Sequence, residues 1–344
     1  MKEIGSEFWT CNVENEKRNG DFFDLGCDSK LLMSGRTAID FVLSDIEDDL
    51  KIVYMPDYCC ASMVEPFLDN NYKIVYYSVD LINNNYIIDV NIKCSVFFAI
   101  SYFGYQSKIV DKYISIFSKK NVTVIEDITH RLLCNNNYCN DSYYLICSLR
   151  KWFPVISGGL AVNVHSKFKS SVLEKKLTID SRFVDLKKEA MDKKRDYMSG
   201  KTNKKEEYLE LYNKSNNMVH DYKNKAIDEL SIKILNGIDY KKIREKRISN
   251  SLKIEKKLKN SKKIRLIFKL EDGDCPLFVP VIIENRDEVR AKLIKNNIYL
   301  PVHWPNNNIY NKLYDIELSL INDQRYSEKD IENYIDKLIE IVGK

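Results

Sequence analysis

Histidine is scarce in this chain, four in 344 residues. They form no H-x-x-x-H pair and no cluster with cysteine, which speaks against a metal centre. The nine cysteines are odd in number and include no C-x-x-C pair; Cys59 and Cys60 are adjacent, and Cys134 and Cys139 stand five apart. Cys94 and Cys147 lie in apolar, strand-like runs, where a free thiol behaves as a small hydrophobe. This is not a disulfide framework, and it fits a reducing compartment. Long hydrophobic runs are missing too: the longest, Val96 to Tyr105, is too short to cross a bilayer. Met1 to Asp24 is mostly polar, without the charged-then-apolar pattern of a signal segment, so the expected location is the cytoplasm.

What is present is ordinary in bulk and uneven in detail. A hydrophobic content of 44% with 30% charged residues is typical of a soluble globular protein. The length suits one large domain and a smaller one. The formal charge is +4, but residues 187–265 carry 24 Lys+Arg against 12 Asp+Glu, leaving that block at +12 and the remainder at −8. Such a block can meet an anionic partner or form a solvated set of helices. It lacks the interleaved aromatics and reading motifs of a nucleic-acid binder.

Residues 30–165 alternate strand-like and helix-like pieces. Ile52–Met55, Lys73–Tyr77, Cys94–Ile100, Val122–Ile125, Tyr143–Cys147 and Leu160–Val164 read as strands. Ile39–Leu50, Ala61–Leu68 and Ile109–Phe117 read as helices. Short, almost fully apolar strands alternating with helices predict a mainly parallel sheet sandwiched by helices, an α/β architecture. Residues 166–240 read as charged helical material. From Lys263 the strand pattern returns, with strands expected at Ile264–Leu270, Leu277–Ile283 and Ile298–Val302 and a helix at Glu288–Lys295. Ser327-x-x-Asp330 reads as the capped start of a last amphipathic helix. The expected division is a large domain, 1–240, with an N-terminal arm, and a small C-terminal α+β domain, 241–344.

Two segments carry chemistry. In Cys147-Ser148-Leu149-Arg150-Lys151-Trp152-Phe153, a lysine follows an apolar strand and has apolar neighbours, which disfavour an ammonium ion. In Val122-Thr-Val-Ile-Glu126-Asp127, two carboxylates end another strand. A reactive lysine and an acid for a pyridinium nitrogen are what pyridoxal 5'-phosphate requires of a protein. Both fall at strand carboxyl ends, where open α/β sheets bind ligands. Ser34-Gly35-Arg36-Thr37-Ala38 precedes an apolar helix, a turn able to offer backbone N–H groups to a phosphate.

With these segments stand Met55-Pro-Asp-Tyr-Cys-Cys-Ala-Ser62, Tyr102-Phe-Gly104, Ile125-Glu-Asp-Ile-Thr-His130, Gly158-Gly159 and Pro301-Val-His-Trp-Pro305. In this order they resemble the DegT/StrS-type family of pyridoxal-phosphate aminotransferases, of fold type I. The resemblance implies that Lys151 binds the cofactor covalently and then shuttles a proton. It implies that Asp127, rather than Glu126, faces the ring nitrogen and that His130 lies close by. Gly35, Arg36 and Thr37 would form the phosphate cup, with Ser148 or Arg150 as a further donor. Tyr58, or Cys60 in its place, would meet the ring face, and His303 and Trp304 would approach the substrate. The implied activity is transfer of an amino group, by family habit from glutamate, to a keto group on a nucleotide-linked sugar, within amino-sugar and polysaccharide biosynthesis, by a cytoplasmic homodimer. The chain departs from the family in a Ser148–Lys151 spacing two residues short and in lacking a clear Gly-x-Asn-x-Arg-Met segment. A non-catalytic protein on this fold, or another reaction of the same cofactor, is the alternative.

Overall fold

The computed structural model describes residues 3–10, 23, 25–169, 176–304 and 310–343. Pro305, the last residue of the His303-Trp304 segment, and most of the expected N-terminal arm lie outside them.

The main sheet has eight strands: β2 (Asp28–Leu32), β3 (Ile52–Pro56), β4 (Lys73–Asp80), β5 (Asn85–Ile87), β6 (Val96–Ile100), β7 (Thr123–Asp127), β8 (Tyr144–Ser148) and β9 (Gly159–Asn163), numbered after a short N-terminal β1 (Ile4–Gly5). Their spatial order is β2-β9-β8-β7-β6-β3-β4-β5. From β8 to β4 all neighbours are parallel, whereas β9 and β5 run antiparallel. Every residue of β6 is buried, as expected of a strand covered by helices on both faces. The chain progresses outward from β3 to β4 on one side and from β6 through β7 to β8 on the other. The β3/β6 junction is therefore a topological switch point, the place where such sheets open a crevice beyond their carboxyl ends.

The helix Gly35–Asp45 starts where Ser34 accepts a hydrogen bond from the Thr37 N–H, and it buries Ala38, Ile39, Phe41 and Val42. It stops short of the expected Leu50 because Ile46 turns to extended backbone. Buried Asp45 then accepts from the Tyr144 hydroxyl at 2.7 Å and the Lys169 N–H at 2.6 Å.

A second core is built on the antiparallel sheet β10 (Ile264–Leu266), β11 (Val279–Ile283) and β13 (Glu317–Leu320), covered by helices Tyr240–Leu258, Arg286–Ile294 and Glu328–Gly343. β1 joins it by pairing in parallel with β12 (Ile298–Tyr299), and Ile4 is buried there. Ser327 and Asp330 cap the last helix reciprocally, each side chain accepting the other's N–H. Three strands here are shorter than expected, β11 by its first two residues, Leu277 and Phe278. β10 ends at Leu266 because the Leu270 N–H goes to the Glu255 carboxylate and Phe268 stacks on Tyr105. β12 ends at Tyr299, two residues before Pro301, whose nitrogen has no hydrogen to donate to a ladder.

Strand alternation places Glu126 and Asp127 on opposite faces of β7. Glu126 is wholly buried against Arg131 (3.1 Å), the Ser142 hydroxyl (2.7 Å) and the Cys139 N–H (2.9 Å). Burial raises its pKa to about 7, with Arg131 opposing. Removing one partner of a buried pair leaves a charge without compensation. Arg131→Met is expected to cost about 3–5 kcal/mol in urea unfolding. The loss should grow as pH rises above about 7, where the unmutated chain releases the Glu126 proton and the variant, lacking Arg131, still holds it.

Candidate active site

Four strand ends converge on one crevice: Asp57 and Tyr58 follow β3, Ser101 and Tyr102 follow β6, Asp127 closes β7 and Ser148 closes β8. Thr129 ties the last two together. Its N–H donates to Asp127 Oδ1 at 2.8 Å, an Asx turn, and its hydroxyl oxygen accepts the Ser148 N–H at 2.9 Å. Its carbonyl accepts the Trp152 indole N–H at 2.5 Å. Burial raises the Asp127 pKa, opposed by the bonds from Thr129 and the charge of Lys151.

Lys151 ends a single 3-10 turn, Leu149–Lys151, that follows β8. Leu149 and Trp152, expected to wall the amine, are instead fully buried in the core beneath the turn. The amine stands 6.0 Å from the ring centroid of Trp304. Around it the main sheet meets the segment that carries His303 and Trp304. His130 and His303 lie 5.7 Å apart, ring to ring, and Trp304 lies 6.0 Å from His130 and 5.0 Å from Tyr58. Burial and the nearby Lys151 charge keep both imidazoles neutral, His303 falling to about 3 and His130 well below its ordinary value. His130 Nδ1 accepts the Phe103 N–H at 2.9 Å, so its proton sits on Nε2, which is buried without a partner.

Lys151 and Ser148 line a cavity of about 600 Å³ together with residues of the second core such as Leu300 and Ile321. Its lining includes six cations (Arg150, Lys151, Lys187, Arg247, Arg290 and Arg325) against two carboxylates, Glu7 and Asp323. Lys187 pairs with Glu7, and Arg325 with Asp323 at 2.7 Å. Arg150 Nε is buried without a hydrogen-bond partner. Of the basic block, Lys187 and Arg247 reach this cavity.

The structure thus brings Lys151, Asp127, His130, Tyr58, Ser148, His303 and Trp304 to one place. The helix start lies beside them: a Cβ on Gly35 would stand 3.3 Å from the Ser148 Cβ, and one on Gly159 would strike the Ser34 carbonyl oxygen at 2.1 Å. Gly159 is therefore what lets that turn sit against the Lys151 loop. Two expected phosphate contacts are directed elsewhere. The Arg36 guanidinium pairs with Glu65 at 2.7 Å, and the Thr37 hydroxyl donates to the Tyr222 carbonyl at 3.0 Å. The Tyr58 hydroxyl likewise donates to the His303 carbonyl at 2.5 Å, making Tyr58 a bond between domains. Thr129, Arg290 and Arg325 escaped the sequence reading. Only Thr129 carried a local signal, the Asp-x-Thr turn.

No protein-family model and no curated protein matches this chain. Solved structures match over nearly its full length. They include Helicobacter pylori PseC, an aminotransferase involved in the biosynthesis of pseudoaminic acid (14% identity, 99% of this chain and 100% of that chain, TM-score 0.65). A DegT/DnrJ/EryC1/StrS aminotransferase from Brucella abortus matches at 15% identity over 96% and 92% of the two chains, TM-score 0.64. DesI in the presence of its TDP-sugar product matches at 13% identity over 95% and 86%, TM-score 0.65. The chain therefore has the fold of these aminotransferases, a mostly parallel sheet flanked by helices. Among the described residues there is no cluster able to hold a metal ion and no helix long and apolar enough to cross a membrane.

The Thr129 knot makes a checkable demand. Thr129→Val keeps the shape but removes the acceptor of the Ser148 N–H, and should cost about 1–3 kcal/mol in thermal or urea unfolding. Thr129→Ser should recover most of that loss.

Proposed function

We propose that this chain is a pyridoxal-phosphate aminotransferase of the DegT/StrS type, moving an amino group from glutamate to a keto group on a nucleotide-linked sugar. The observation that carries this reading is a buried carboxylate, Asp127, and a lysine, Lys151, at neighbouring strand ends, with Lys151 lining a cavity rich in cations. The fit of the cofactor rests on the donor set. Asp127 suits a protonated ring nitrogen, and the buried His130 Nε2–H lacks a partner. The first turn of Gly35–Asp45 offers N–H groups without intrahelical acceptors, beside Ser148. The phosphate contacts we assign are the Gly35 and Arg36 backbone and Ser148, with Arg150 in reserve, rather than the Arg36 and Thr37 side chains.

When bound, the cofactor supplies an electron sink for the carbon that carries the donor's amine. The chain's own residues supply the rest. Asp127 Oδ atoms hold a proton on the ring nitrogen, in a buried setting that strengthens the interaction. The Lys151 amine is the group placed to take a proton from the donor carbon and to return it. The cations of the cavity hold the anionic part of the acceptor away from the reacting atoms, which agrees with a diphosphate-bearing substrate and with the TDP-sugar product named for DesI. We assign residues 1–240 and 241–344 to the large and small domains, with β1 crossing to the small one, and the working unit to a cytoplasmic homodimer. Amino-sugar or polysaccharide synthesis is the process such a product would serve.

Purified protein mixed with pyridoxal phosphate should develop an absorption band that glutamate converts to the amine form of the cofactor. A band that glutamate leaves unchanged would favour another reaction of the cofactor, and no band would favour a non-catalytic protein. Lys151→Ala should lower turnover by at least about 10²–10⁴-fold, the scale of a lost proton-transfer group. Full activity in that variant would remove Lys151 from the mechanism.

A further inference from the structure

His303 enters the crevice on a buried hydrogen-bonded chain that the transfer reaction, as described, does not use. Its Nδ1 lies 2.8 Å from the Ser319 hydroxyl, which lies 2.5 Å from Glu317 Oε1. The His303 N–H donates to Glu317 Oε2 at 3.0 Å, closing the loop. Glu317 and Ser319 are fully buried and neighbour each other on the same face of β13, one residue apart. Arg286 and Tyr58 face Glu317, and Lys151 and His130 face the imidazole. The Arg286 guanidinium itself is occupied, donating to the Glu317 carbonyl at 2.6 Å and pairing with Asp287 at 2.7 Å.

We propose that Glu317, Ser319 and His303 form a proton relay in which the proton on Glu317 decides whether His303 presents a donor or an acceptor to the pocket. The argument is a count of hydrogens. Ser319 has one hydroxyl hydrogen for two neighbours. With Glu317 ionised, Ser319 must donate to the carboxylate. Its oxygen then accepts from His303 Nδ1–H, leaving Nε2 a bare acceptor. With Glu317 protonated, the carboxyl donates to Ser319 and Ser319 donates to Nδ1, so the proton sits on Nε2. Transfer balances accordingly. As His303 gives its Nε2 proton to a basic atom of the ligand, Nδ1 gains the Ser319 proton, and Ser319 gains the Glu317 proton, leaving a carboxylate. His130, fixed as an Nε2 donor, stands 5.7 Å away, ring to ring, so the pocket holds one constant donor and one switchable group. Burial raises Glu317 to about 8, which puts the switch within reach of ordinary buffers. In this scheme Glu317 and Ser319 are positioning residues, and only His303 meets the ligand. That last role rests on the aminotransferase reading; the relay itself does not.

The test is nitrogen NMR of labelled histidine in the full chain, with the His303 signals assigned by their loss in His303→Asn. His303 should carry its proton on Nε2 below about pH 8 and on Nδ1 above it. The change should vanish in Ser319→Ala and Glu317→Gln and persist in Ser319→Thr. A tautomer that ignores pH in the unmutated chain, or one that still switches in Ser319→Ala, overturns the relay. Because the unmutated chain alone can refute it, a variant that fails to fold leaves the test standing. On the aminotransferase reading, Ser319→Ala also lowers kcat by about 10²-fold and flattens its pH profile near the switch, with the KM for glutamate little changed. Absence of all turnover with an intact switch would count against the function and leave the relay in place.

Discussion

The site depends on how one residue spends its hydrogen bonds. Thr129 uses its N–H on Asp127, its hydroxyl oxygen on Ser148 and its carbonyl on Trp152, so it sets the relative position of two strand ends and the turn that carries Lys151. Parallel strands have no short connection to fix such ends, and the groups beyond them are otherwise free to splay. A buried three-way knot supplies that rigidity at small cost, because each of its bonds also satisfies a group that burial would leave unpaired.

A second set of bonds brings His303, Asn311 and Tyr314 onto this platform. The Asn311 amide donates to Asp57 Oδ1 at 3.0 Å, the Tyr314 hydroxyl to the Asp57 carbonyl at 2.5 Å, and the Tyr58 hydroxyl to the His303 carbonyl at 2.5 Å. All three involve the residues just after β3, beside the switch point of the sheet. They hold the segment that brings Trp304 to within 6.0 Å of the Lys151 amine, while Arg150, Arg290 and Arg325 line the cavity with Lys151. The electrostatics divide along the same line. Burial drives two carboxylates of the site, Asp127 and Glu317, toward the neutral form, and neither lines the cavity that the cations line. An anionic ligand in that cavity meets six cations against two carboxylates that are already paired with Lys187 and Arg325.

Much of this architecture is legible in the residues themselves. Runs such as Val96-Phe-Phe-Ala-Ile100 have no polar face to show to water, and their alternation with helices specifies a covered parallel sheet. Period-two alternation puts Glu126 and Asp127 on opposite faces, and the family resemblance is what assigns Asp127 to the ring. The parts that were not legible are those decided by distant partners. Nothing near Arg36 announces Glu65, twenty-nine positions on, and nothing near His303 announces that Glu317 and Ser319 return beside it on another strand. Arg290 and Arg325 look like ordinary surface cations until the two domains are set together. The shortened strands β10 and β12 were misjudged because their apolar residues satisfy a strand pattern, whereas side-chain and backbone contacts outside the ladder claim their neighbours.

The central claim is that Lys151, and no other amine, is the cofactor's point of attachment. A real competitor exists in Lys194, which is fully buried and lowered to about 8, mainly by burial. Its amine, however, is held by Glu3, Ser6 and the Glu7 carbonyl, and Lys194 is not among the residues that line the cavity with Lys151. Borohydride reduction of the protein with pyridoxal phosphate, followed by peptide mass mapping, distinguishes them directly. The account predicts a single stoichiometric adduct on the peptide containing Lys151. Stoichiometric label on Lys194 or any other lysine, with Lys151 unmodified, would contradict it.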